Sequence, residues 1–483
     1  MKVLITNPPG RKFRRVYGDR WASSVGDGIG SGNTFVAFPF SLAYTAALLE
    51  NKGHEVMFKD CVVEDMGRTE FRALVNDFSP GLIVCQTSTP SYYYDVETLK
   101  QIKGLAPVVA VGLHATHVPD DHLRDGCDYV IRGEHEYPTV KLVEYLEAGK
   151  LPEKKDGISY KEGDNIIISD IAQPVPDLNA LPLPARHLMD MNVYHDSFGI
   201  GHQVWITSTR GCAYNCTFCT VPIFSGRPVY RKRNPKLVVD EMEYVMEKYH
   251  PDEIYFDDAS MTIHREHVTL ICDELLHRGL KIRWRGVADA NLPDEVLIRM
   301  AKAGCAGIKI GVESGSPEVL KAVNKPIKLD DAKRVVKLAH EFGMKVHGTY
   351  MFGIPGETAE RAKESSDFMI ELDTDTNQIS IATPFPGTKF YKEAKEKGWL
   401  VTEDWNLYDG GHVVVSYPDY PKEEIERMFS YAATRWERHK AFTDPWNVIH
   451  HFYNQYRQGG IGGVVRLGIW GVKRLIKGSQ PLR

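Results

Sequence analysis

The sequence lacks most of the features that would assign it to a specialised class of protein. Its eight cysteines are scattered apart from one cluster, which excludes a disulfide framework. No apolar run is long and uncharged enough to span a bilayer, and the run after Met1 is too short for a signal peptide. The net charge of −5 argues against a nucleic-acid partner that needs a strongly basic surface. We therefore expect a cytoplasmic protein in a reducing compartment that does not bind nucleic acid.

Composition and length indicate a globular protein of several domains. Hydrophobic residues make up 43% of the chain and charged residues 25%, which is ordinary for soluble proteins. A chain of 483 residues implies roughly three domains. We predict a first domain at residues 1–150, a linker with a hairpin at 151–200, a second domain at 201–400 and a mainly helical C-terminal region at 401–483.

The first 150 residues alternate short apolar runs with amphipathic segments. The predicted strands are Val3–Thr6, Glu55–Phe58, Leu82–Cys85, Val108–Val111 and Tyr129–Ile131. Strands separated by helices imply a parallel sheet with helices on both faces, in a Rossmann-like α/β domain. Ligands of such a sheet bind beyond the carboxyl ends of its strands.

The alternation resumes after a connector. We predict a hairpin at residues 157–169 and a proline-rich linker after it. From 203 to 390, six further βα units predict a partial or open (βα)6 barrel, with its chemistry at the carboxyl ends of the strands. An ordinary doubly wound sheet is the alternative, which spacing alone does not exclude.

Three cysteines, Cys212, Cys216 and Cys219, lie close together in a polar loop directly after a predicted strand. Iron–sulfur clusters are held by thiolates, and three ligands leave one iron of a four-iron cluster open. A structural zinc site needs a fourth ligand, and neither a second cysteine pair nor a suitably spaced histidine is present. The pattern therefore favours a [4Fe-4S] cluster. The other cysteines are expected to be small buried hydrophobes: Cys61, Cys85, Cys127, Cys272 and Cys305.

This C-x3-C-x2-C spacing, with Phe218 before the last cysteine, resembles the signature of the radical S-adenosylmethionine (SAM) superfamily. The resemblance implies that the open iron chelates the amino and carboxylate groups of SAM. It also implies that an electron from the cluster cleaves SAM to a 5′-deoxyadenosyl radical, which abstracts a hydrogen from the substrate. An electron donor such as flavodoxin or ferredoxin would then be a partner.

The resemblance continues over residues 203–390 and implies a set of SAM contacts. A carboxylate after the second barrel strand would meet the methionine amine, residues after the fourth would meet the ribose, and the loops after the fifth and sixth would flank the adenine. Turns of this kind are common in α/β proteins, so their order after the cysteines carries the resemblance. The implied SAM-binding residues are Phe218, Asp257, Asp258, Glu313, Ser314, Gly353, Thr383 and Phe385.

The N-terminal domain resembles the cobalamin (B12)-binding domain of one large subgroup of these enzymes. The resemblance lies at residues 40–50, 53–56, 112–116 and 132–136. Small and hydroxyl residues in the loops after the strands would let the backbone approach a flat, bulky ligand. The implied cobalamin-binding residues are Asn7, Pro8, Thr87, Ser88, Thr89, Gly112, His114, Arg132, Gly133 and Glu134.

Two departures from the subgroup pattern limit this expectation. Leu113 stands where the subgroup often has a second glycine, and no D-x-H-x-x-G follows the first strand to supply a histidine ligand to cobalt. If cobalamin binds, we expect its nucleotide tail to be tucked away and no histidine beneath the cobalt. A domain that kept the fold and lost cobalamin is the alternative.

The tandem arrangement predicts a cobalamin-dependent radical SAM methyltransferase, in which methylcobalamin delivers a methyl group to an unactivated substrate carbon. The alternative keeps both cofactors for ring formation, oxidation or carbon–carbon coupling, because the chain also resembles the anaerobic porphyrin-ester cyclases. A third hypothesis is a structural or sensing cluster without catalysis. No general base is assigned, since lone histidines such as His347 are more often core groups.

The end of the chain is basic and aromatic, because six cations and no acidic residue follow Asp444. Residues 461–477 suit an interfacial segment, although a helix packed on the barrel explains them equally well. Peripheral membrane contact through this tail is therefore a hypothesis. The substrate is left open as a small molecule, a lipid or a peptide.

Overall fold

The protein was analysed as a computed structural model that describes residues 1–10, 36–196 and 198–444. The N-terminal sheet contains β1 (Lys2–Asn7), β2 (Glu55–Asp60), β3 (Leu82–Gln86), β4 (Val108–Val111), β5 (Tyr129–Ile131), β6 (Ile158–Glu162) and β7 (Asn165–Ile167). The helices of this part are α1 (Phe40–Asn51), α2 (Arg68–Phe78), α3 (Tyr92–Ile102), α4 (Leu113–His117), α5 (Pro119–Asp125) and α6 (Glu136–Glu147).

A second sheet and a small hairpin follow. The sheet contains β8 (Gln203–Ile206), β11 (Glu253–Phe256), β12 (Trp284–Ala288), β13 (Cys305–Glu313), β14 (Lys345–Phe352) and β15 (Thr376–Ile381), and the hairpin contains β9 (Thr209–Cys212) and β10 (Val229–Lys232). The helices are α7 (Val221–Phe224), α8 (Pro235–Tyr249), α9 (Arg265–His277), α10 (Asp294–Lys302), α11 (Pro317–Ala322), α12 (Leu329–Glu341), α13 (Ala359–Leu372), α14 (Lys389–Glu396) and α15 (Lys422–Thr443).

The N-terminal sheet is the Rossmann-like domain that the sequence predicts. Its strand order is β2-β1-β3-β4-β5-β6-β7, and β1 to β5 pair in parallel. Since β2 and β3 lie on opposite sides of β1, the strand order reverses there, which opens a crevice at the carboxyl ends of β1 and β3. The hairpin predicted at 157–169 is β6 and β7, and it extends this sheet because β6 pairs antiparallel with β5.

The second sheet is a curled, open half-barrel. Its order is β15-β14-β13-β12-β11-β8, and neighbouring strands pair in parallel. Each strand lies beside the one before it along the sheet, whereas a doubly wound sheet reverses direction. The barrel prediction is therefore confirmed over its alternative. On β13, Ile308, Ile310 and Val312 join the core under the helices, so the residues between them face the barrel interior.

The C-terminal helix packs against α13 and the end of the barrel. Helix α15 runs from Lys422 to Thr443 with Ile425, Phe429 and Trp436 buried. The basic tail lies beyond Asp444, outside the described residues, so its interfacial role stays a prediction. Within the described part of the chain, no helix combines the length and apolarity needed to cross a membrane. The five isolated cysteines are buried, as predicted.

A buried carboxyl, Glu357, lies at the turn between β14 and α13. Its Oε2 accepts a hydrogen bond from the Gly353 N–H. Burial raises the pKa of Glu357 from its ordinary 4.5 to about 8. Because the folded protein holds this proton more tightly than the unfolded chain does, the protonated carboxyl stabilises the fold fully below the unfolded pKa. That stabilisation is lost as the pH rises through the folded pKa.

We expect Glu357→Gln to remove part of the pH dependence of stability. Between about pH 5 and pH 8, the free energy of unfolding of the wild type should fall, relative to the variant, by roughly 1.4 kcal/mol per pH unit. Guanidinium denaturation across this range measures it. The exposed Glu364→Gln on the adjacent helix α13 is the control and should run parallel to the wild type. Parallel curves for Glu357→Gln would contradict a proton held by burial.

Candidate functional site

The cysteine loop begins in an antiparallel hairpin that the sequence analysis did not predict. Cys212 is the last residue of β9 and pairs with Val229 of β10. Gly211 has a φ of 84°, and a side chain there would collide with the carbonyl oxygen of Val229. Glycine therefore sets the conformation of the backbone just before the first cysteine. Cys216 and Cys219 follow in the turn that leads into α7.

Asp258 fixes the start of this hairpin. Its Oδ1 accepts hydrogen bonds from the backbone N–H groups of Ser208, at 2.9 Å, and Thr209, at 3.0 Å. The Ser208 hydroxyl donates to the other carboxylate oxygen. Asp258 is fully buried, and its predicted contact with the SAM amine stays a prediction. In the structure, Asp258 holds the backbone of Ser208 and Thr209, the segment that leads to Cys212.

The three thiols share the wall of one cavity with the carboxyl ends of the barrel strands. The cavity offers about 200 Å³ of space to water-sized molecules. Of the predicted SAM residues, Phe218, Glu313, Thr383 and Phe385 line it. Asp257, Asp258, Ser314 and Gly353 do not. Wall residues that the sequence analysis did not single out for this site include Tyr214, Ser260, Asp289, Asn291, Lys309, Lys325, Thr349, Gln378 and Ser380.

The thiols fit a cluster held by thiolates. Burial raises the pKa of Cys216 to about 11 and that of Cys219 to about 12, and it raises the pKa of Cys212 as well. Neighbouring thiols add to these shifts because their charges would repel. Among the described residues, no three His, Cys, Asp or Glu side chains form a site for a single metal ion. Three converging thiols on one cavity wall suit the larger iron–sulfur cluster.

A cation and an anion lie side by side in the same wall. The Lys325 ammonium is 3.0 Å from Glu313 Oε1, and both side chains are largely buried. Glu313 has a φ of 68°, a left-handed conformation that costs a non-glycine residue on the order of 1–3 kcal/mol. Such strain concentrates at ligand sites. The pair offers opposite charges to a zwitterion, which is the chemistry of the methionine part of SAM.

Asp289 ties the cysteine loop to the barrel. Its carboxylate accepts hydrogen bonds from the hydroxyl of Tyr214, at 3.0 Å, and from that of Ser260, at 2.9 Å. Arg265 pairs with it at 2.7 Å. Tyr214 lies between Cys212 and Cys216, so this one carboxylate holds the middle of the cysteine loop against the end of β12.

The predicted cobalamin residues lie along one edge of the N-terminal sheet, because they follow β1, β3, β4 and β5. At the end of β1, Asn7 donates from Nδ2 to Asp60 Oδ2 at 3.0 Å, and the adjacent Pro8 is buried. After β3, the hydroxyls of Ser88 and Ser91 are 2.7 Å apart. Asn7 and Ser88 thus lie at the carboxyl ends of β1 and β3, the two strands that border the crevice.

Two histidines line the same edge after β4. The Thr87 hydroxyl is 2.9 Å from His122 Nε2, and the Thr89 hydroxyl is 3.1 Å from His114 Nδ1. Gly112 has a φ of 110°, and a Cβ there would lie 2.7 Å from the Thr87 carbonyl oxygen. The loops after β3 and β4 therefore touch, and a side chain at residue 112 would separate them.

Several of the buried polar atoms that lack a hydrogen-bond partner in the described chain lie at this edge. They are Gln86 Oε1, His114 Nε2, His117 Nε2, His135 Nε2 and Glu136 Oε2. A buried polar atom that is left unsatisfied costs about 1–3 kcal/mol. A ligand with hydrogen-bonding groups around its rim would satisfy them, and the amide side chains of a corrin ring are such groups. The edge therefore fits cobalamin.

The loop after β5 reaches across to the cysteine hairpin through ion pairs. Arg231 of β10 donates from Nη1 to Glu134 Oε2 at 2.8 Å and from Nη2 to Oε1. Arg210 Nη1 lies 2.6 Å from Glu136 Oε1, in a poorly aligned ion pair, and 3.6 Å from Glu134. Burial raises the pKa of Glu134, but the two arginines hold it below its ordinary value. We name these four residues the Glu134 clasp.

The two residues before the clasp are committed to backbone contacts. Arg132 donates to the carbonyl oxygens of Thr116, at 2.9 Å, and Ser169. The Gly133 N–H donates to the Thr116 hydroxyl at 3.0 Å. In the structure, Arg132, Gly133 and Glu134 make contacts within the protein that stabilise the loop after β5. Their direct contact with cobalamin stays a prediction.

Sequence reasoning missed Asp289, Lys325 and both clasp arginines. Asp289 directly follows β12, so the rule that sites lie at the carboxyl ends of barrel strands could have found it. Lys325 follows helix α11 and enters the wall only through the tertiary fold. Arg210 and Arg231 belong to a hairpin that was not predicted, and nothing in the local sequence indicates their partners.

Comparisons with known proteins agree with this geometry. Residues 206–369 match the family model of the Radical SAM superfamily, and residues 33–143 match that of the B12 binding domain. An uncharacterised methyltransferase of Pyrococcus horikoshii is 30% identical over 436 residues, which cover 89% of this chain and 90% of that protein. The anaerobic magnesium-protoporphyrin IX monomethyl ester cyclase of Rubrivivax gelatinosus is 27% identical over 74% of this chain and 66% of its own length. The structure of the cobalamin-dependent SAM radical enzyme OxsB, with aqua-cobalamin and SAM bound, is 15% identical with a TM-score of 0.68, over 99% of this chain and 75% of that one.

Proposed function

Because this chain belongs to the radical SAM superfamily and joins a B12 binding domain to it, we propose that it is a cobalamin-dependent radical SAM methyltransferase. It transfers a methyl group from methylcobalamin to an unactivated carbon of a small molecule, after a 5′-deoxyadenosyl radical has removed a hydrogen from that carbon. The observation that carries the proposal is the Glu134 clasp, which brings the cobalamin edge of the first domain against the cysteine hairpin of the second. The Pyrococcus relative, named a methyltransferase, supports it across nearly the whole chain.

Different residues of the cavity would bind the cluster and the two ends of the methionine part of SAM. When bound, the cluster supplies the electron that cleaves SAM, and cobalamin supplies the methyl group. Cys212, Cys216 and Cys219 hold the cluster. The Lys325–Glu313 pair offers opposite charges, so Lys325 would bind the SAM carboxylate and Glu313 the ammonium, in place of the ribose contact that the resemblance implies for Glu313. Asp257, Asp258, Ser314 and Gly353 remain proposed SAM contacts from the family resemblance.

The apolar part of the wall keeps water from the reacting carbon. Val287, Ile327, Met351, Ile381 and Phe385 contribute to it. Such a lining protects a reactive radical from side reactions with solvent. An external one-electron donor, such as flavodoxin or ferredoxin, belongs to the proposal. A lipid or peptide substrate and peripheral membrane contact stay predictions.

The test needs no knowledge of the substrate. Holoenzyme with cluster and cobalamin, given SAM and a reductant, is expected to release S-adenosylhomocysteine in an amount that matches its cobalamin, together with 5′-deoxyadenosine. Enzyme reconstituted without cobalamin should release 5′-deoxyadenosine alone. Chromatography of the nucleosides measures both. Release of 5′-deoxyadenosine without any S-adenosylhomocysteine from the cobalamin-loaded enzyme would overturn methyl transfer.

The second candidate function is ring formation or oxidation with the same two cofactors. The observation that favours it is the likeness to the cyclase of Rubrivivax gelatinosus over 74% of this chain. The two candidates differ in the mass of the product. A methyltransferase adds one methylene unit to its substrate, whereas cyclisation or oxidation removes hydrogen.

A further inference from the structure

The cysteine loop lines the cavity and also reaches the outer surface of the protein. Ala213 and Asn215 of this loop are exposed, and neither lines the cavity. Cys216 is partly exposed, and its Sγ lies 3.5 Å from the carbonyl oxygen of Asn324, which is itself an exposed residue. The loop therefore brings the proposed cluster ligands close to solvent on the side away from the cavity.

Other segments of the barrel are bound to this loop and surround it. The Thr217 N–H donates to the Val323 carbonyl oxygen at 3.0 Å, and the Phe390 N–H donates to the Thr217 carbonyl oxygen at 3.0 Å. At the start of the loop, Cys212 pairs with Val229. We name the outer surface of the loop and of these flanking segments the cysteine-loop face, formed by the exposed residues of 213–228, 317–328 and 386–392.

The cysteine-loop face is basic in a chain that is acidic overall. Its three segments carry six lysines and arginines and one acidic residue, whereas the whole chain has 59 lysines and arginines and 64 acidic residues. Asp330 and Glu393 follow just beyond the segments, and cations still outnumber acids two to one when both are included. The charge of this face is thus opposite in sign to the net charge of the protein.

Four of the six cations are exposed: Arg227, Lys321, Lys328 and Lys389. Lys321 lies two positions before Val323, and Lys389 lies directly before Phe390, so both border the hydrogen bonds at Thr217. Lys325, between Lys321 and Lys328, is instead turned inward and paired with Glu313. Clustered charges of one sign create a potential that attracts a partner of the opposite sign. The face is therefore suited to an acidic partner.

The proposed reaction requires a partner at this place. The cluster passes one electron to SAM and has to receive it from outside the protein. Complexes between electron-transfer proteins bury little surface, and complementary charge steers their encounter and fixes their orientation. A carrier protein on the cysteine-loop face would have only this loop between its redox group and the cysteine thiols. Position and charge therefore select the same occupant.

We propose that the cysteine-loop face docks an acidic one-electron carrier protein through Lys321, Lys328 and Lys389, with Arg227 on the hairpin side of the loop. The carrier loses one electron and the cluster gains it, with no bond formed and no proton exchanged between the two proteins. The inference rests on the proposed function, because it assigns a docking surface to the electron donor of that reaction.

The experiment uses holoenzyme with cluster and cobalamin, as wild type and as two triple variants. The face variant is Lys321→Glu/Lys328→Glu/Lys389→Glu. The control is Lys248→Glu/Lys281→Glu/Lys302→Glu, which makes the same charge change at exposed positions on the helix ends and turns at the amino ends of the barrel strands. A flavodoxin and a [2Fe-2S] ferredoxin, both acidic, are the probes. Biolayer interferometry measures the Kd of each at about 50 mM and about 300 mM salt.

We expect the wild type and the control to bind at least one carrier, more weakly at the higher salt concentration. The face variant should bind that carrier about tenfold or more weakly, since three attractive charges become repulsive. With the carrier as reductant, the face variant should need a higher carrier concentration for half-maximal 5′-deoxyadenosine formation. With dithionite, which needs no docking surface, it should match the wild type.

Iron content and thermal unfolding identify a variant that has lost its cluster or its fold, in which case Lys321→Gln/Lys389→Gln replaces it. Four results would each overturn the proposal: no binding of either carrier to the wild type, equal binding to the face variant, equal weakening in the control, or binding that salt does not weaken. Tighter binding of an oligonucleotide, or a dimer that the face variant abolishes, would assign the face to another occupant. Because the binding measurements need no turnover, a failure of methyl transfer would leave their result standing.

Discussion

Protein carrying Cys216→Ala is expected to assemble no [4Fe-4S] cluster and to release no 5′-deoxyadenosine from SAM. Cys216 lines the cavity together with the other two cysteines, and three thiolates are the minimum that leaves a single iron open for SAM. Removal of one of them exposes a second iron and leaves the cluster without stable attachment. After anaerobic reconstitution, iron should fall from about four per chain to background. Colorimetric iron and sulfide analysis and the visible spectrum measure it.

The matched control is Cys272→Ala. Cys272 is a fully buried thiol on α9 within the barrel core, and it does not line the cavity. We expect it to cost about 1 kcal/mol of stability and to leave iron content and SAM cleavage unchanged. Two results would contradict the assignment of Cys216 as a cluster ligand. One is a cluster of normal iron content and spectrum in Cys216→Ala, and the other is an equal loss of iron in both variants.

Glu134→Gln is expected to loosen the cluster although residue 134 belongs to the other domain. The substitution removes the charge that Arg231 and Arg210 share, and a buried pair that loses one partner costs about 3–5 kcal/mol. Both arginines belong to the β9–β10 hairpin, whose first strand ends at Cys212, so the hairpin loses its anchor. Iron release to a chelator, followed optically at a temperature where the variant is folded, should be faster by about tenfold or more, the equivalent of 1.4 kcal/mol.

Glu253→Gln separates this effect from loss of stability in general. Glu253 is also buried, and it receives Arg285 at 2.6 Å and Arg283 at 2.9 Å. It lies at the amino end of β11, away from the cysteine loop. We expect a comparable fall in unfolding free energy but wild-type iron release. If Glu134→Gln and Glu253→Gln release iron at the same rate, the Glu134 clasp stabilises the fold in general and does not specifically hold the cysteine hairpin.

The sheets of both domains could be predicted from the sequence because parallel strands leave continuous apolar runs. Leu82–Gln86 is buried throughout, and Val108–Val111 was predicted with the bounds that the structure has. The β9–β10 hairpin could not be predicted, because Thr209–Cys212 and Val229–Lys232 are polar and partly exposed. The hairpin is held by its position between two domains, which no local pattern records.

Site residues that directly follow a strand could be predicted from the sequence, whereas site residues from other segments of the chain could not. Glu313, Thr383 and Phe385 are in the cavity wall, as a site at the carboxyl ends of the strands requires. Lys325 enters from the segment after α11, and it meets Glu313 only because the chain folds back. Glu134 was predicted from family resemblance to meet cobalamin, whereas its ion pairs are with arginines 76 and 97 positions later, at Arg210 and Arg231. Partners so distant in sequence form no local spacing pattern from which their contact could be predicted.

The Glu134 clasp also bears on how the protein matures in a cell. The clasp joins the loop after β5, on the proposed cobalamin edge, to a hairpin whose first strand ends at Cys212, a proposed cluster ligand. Two binding events that act through the same contacts favour each other by the same factor. A cell poor in cobalamin is then expected to accumulate protein that is also poor in iron, and repletion of either nutrient would help the protein retain the other.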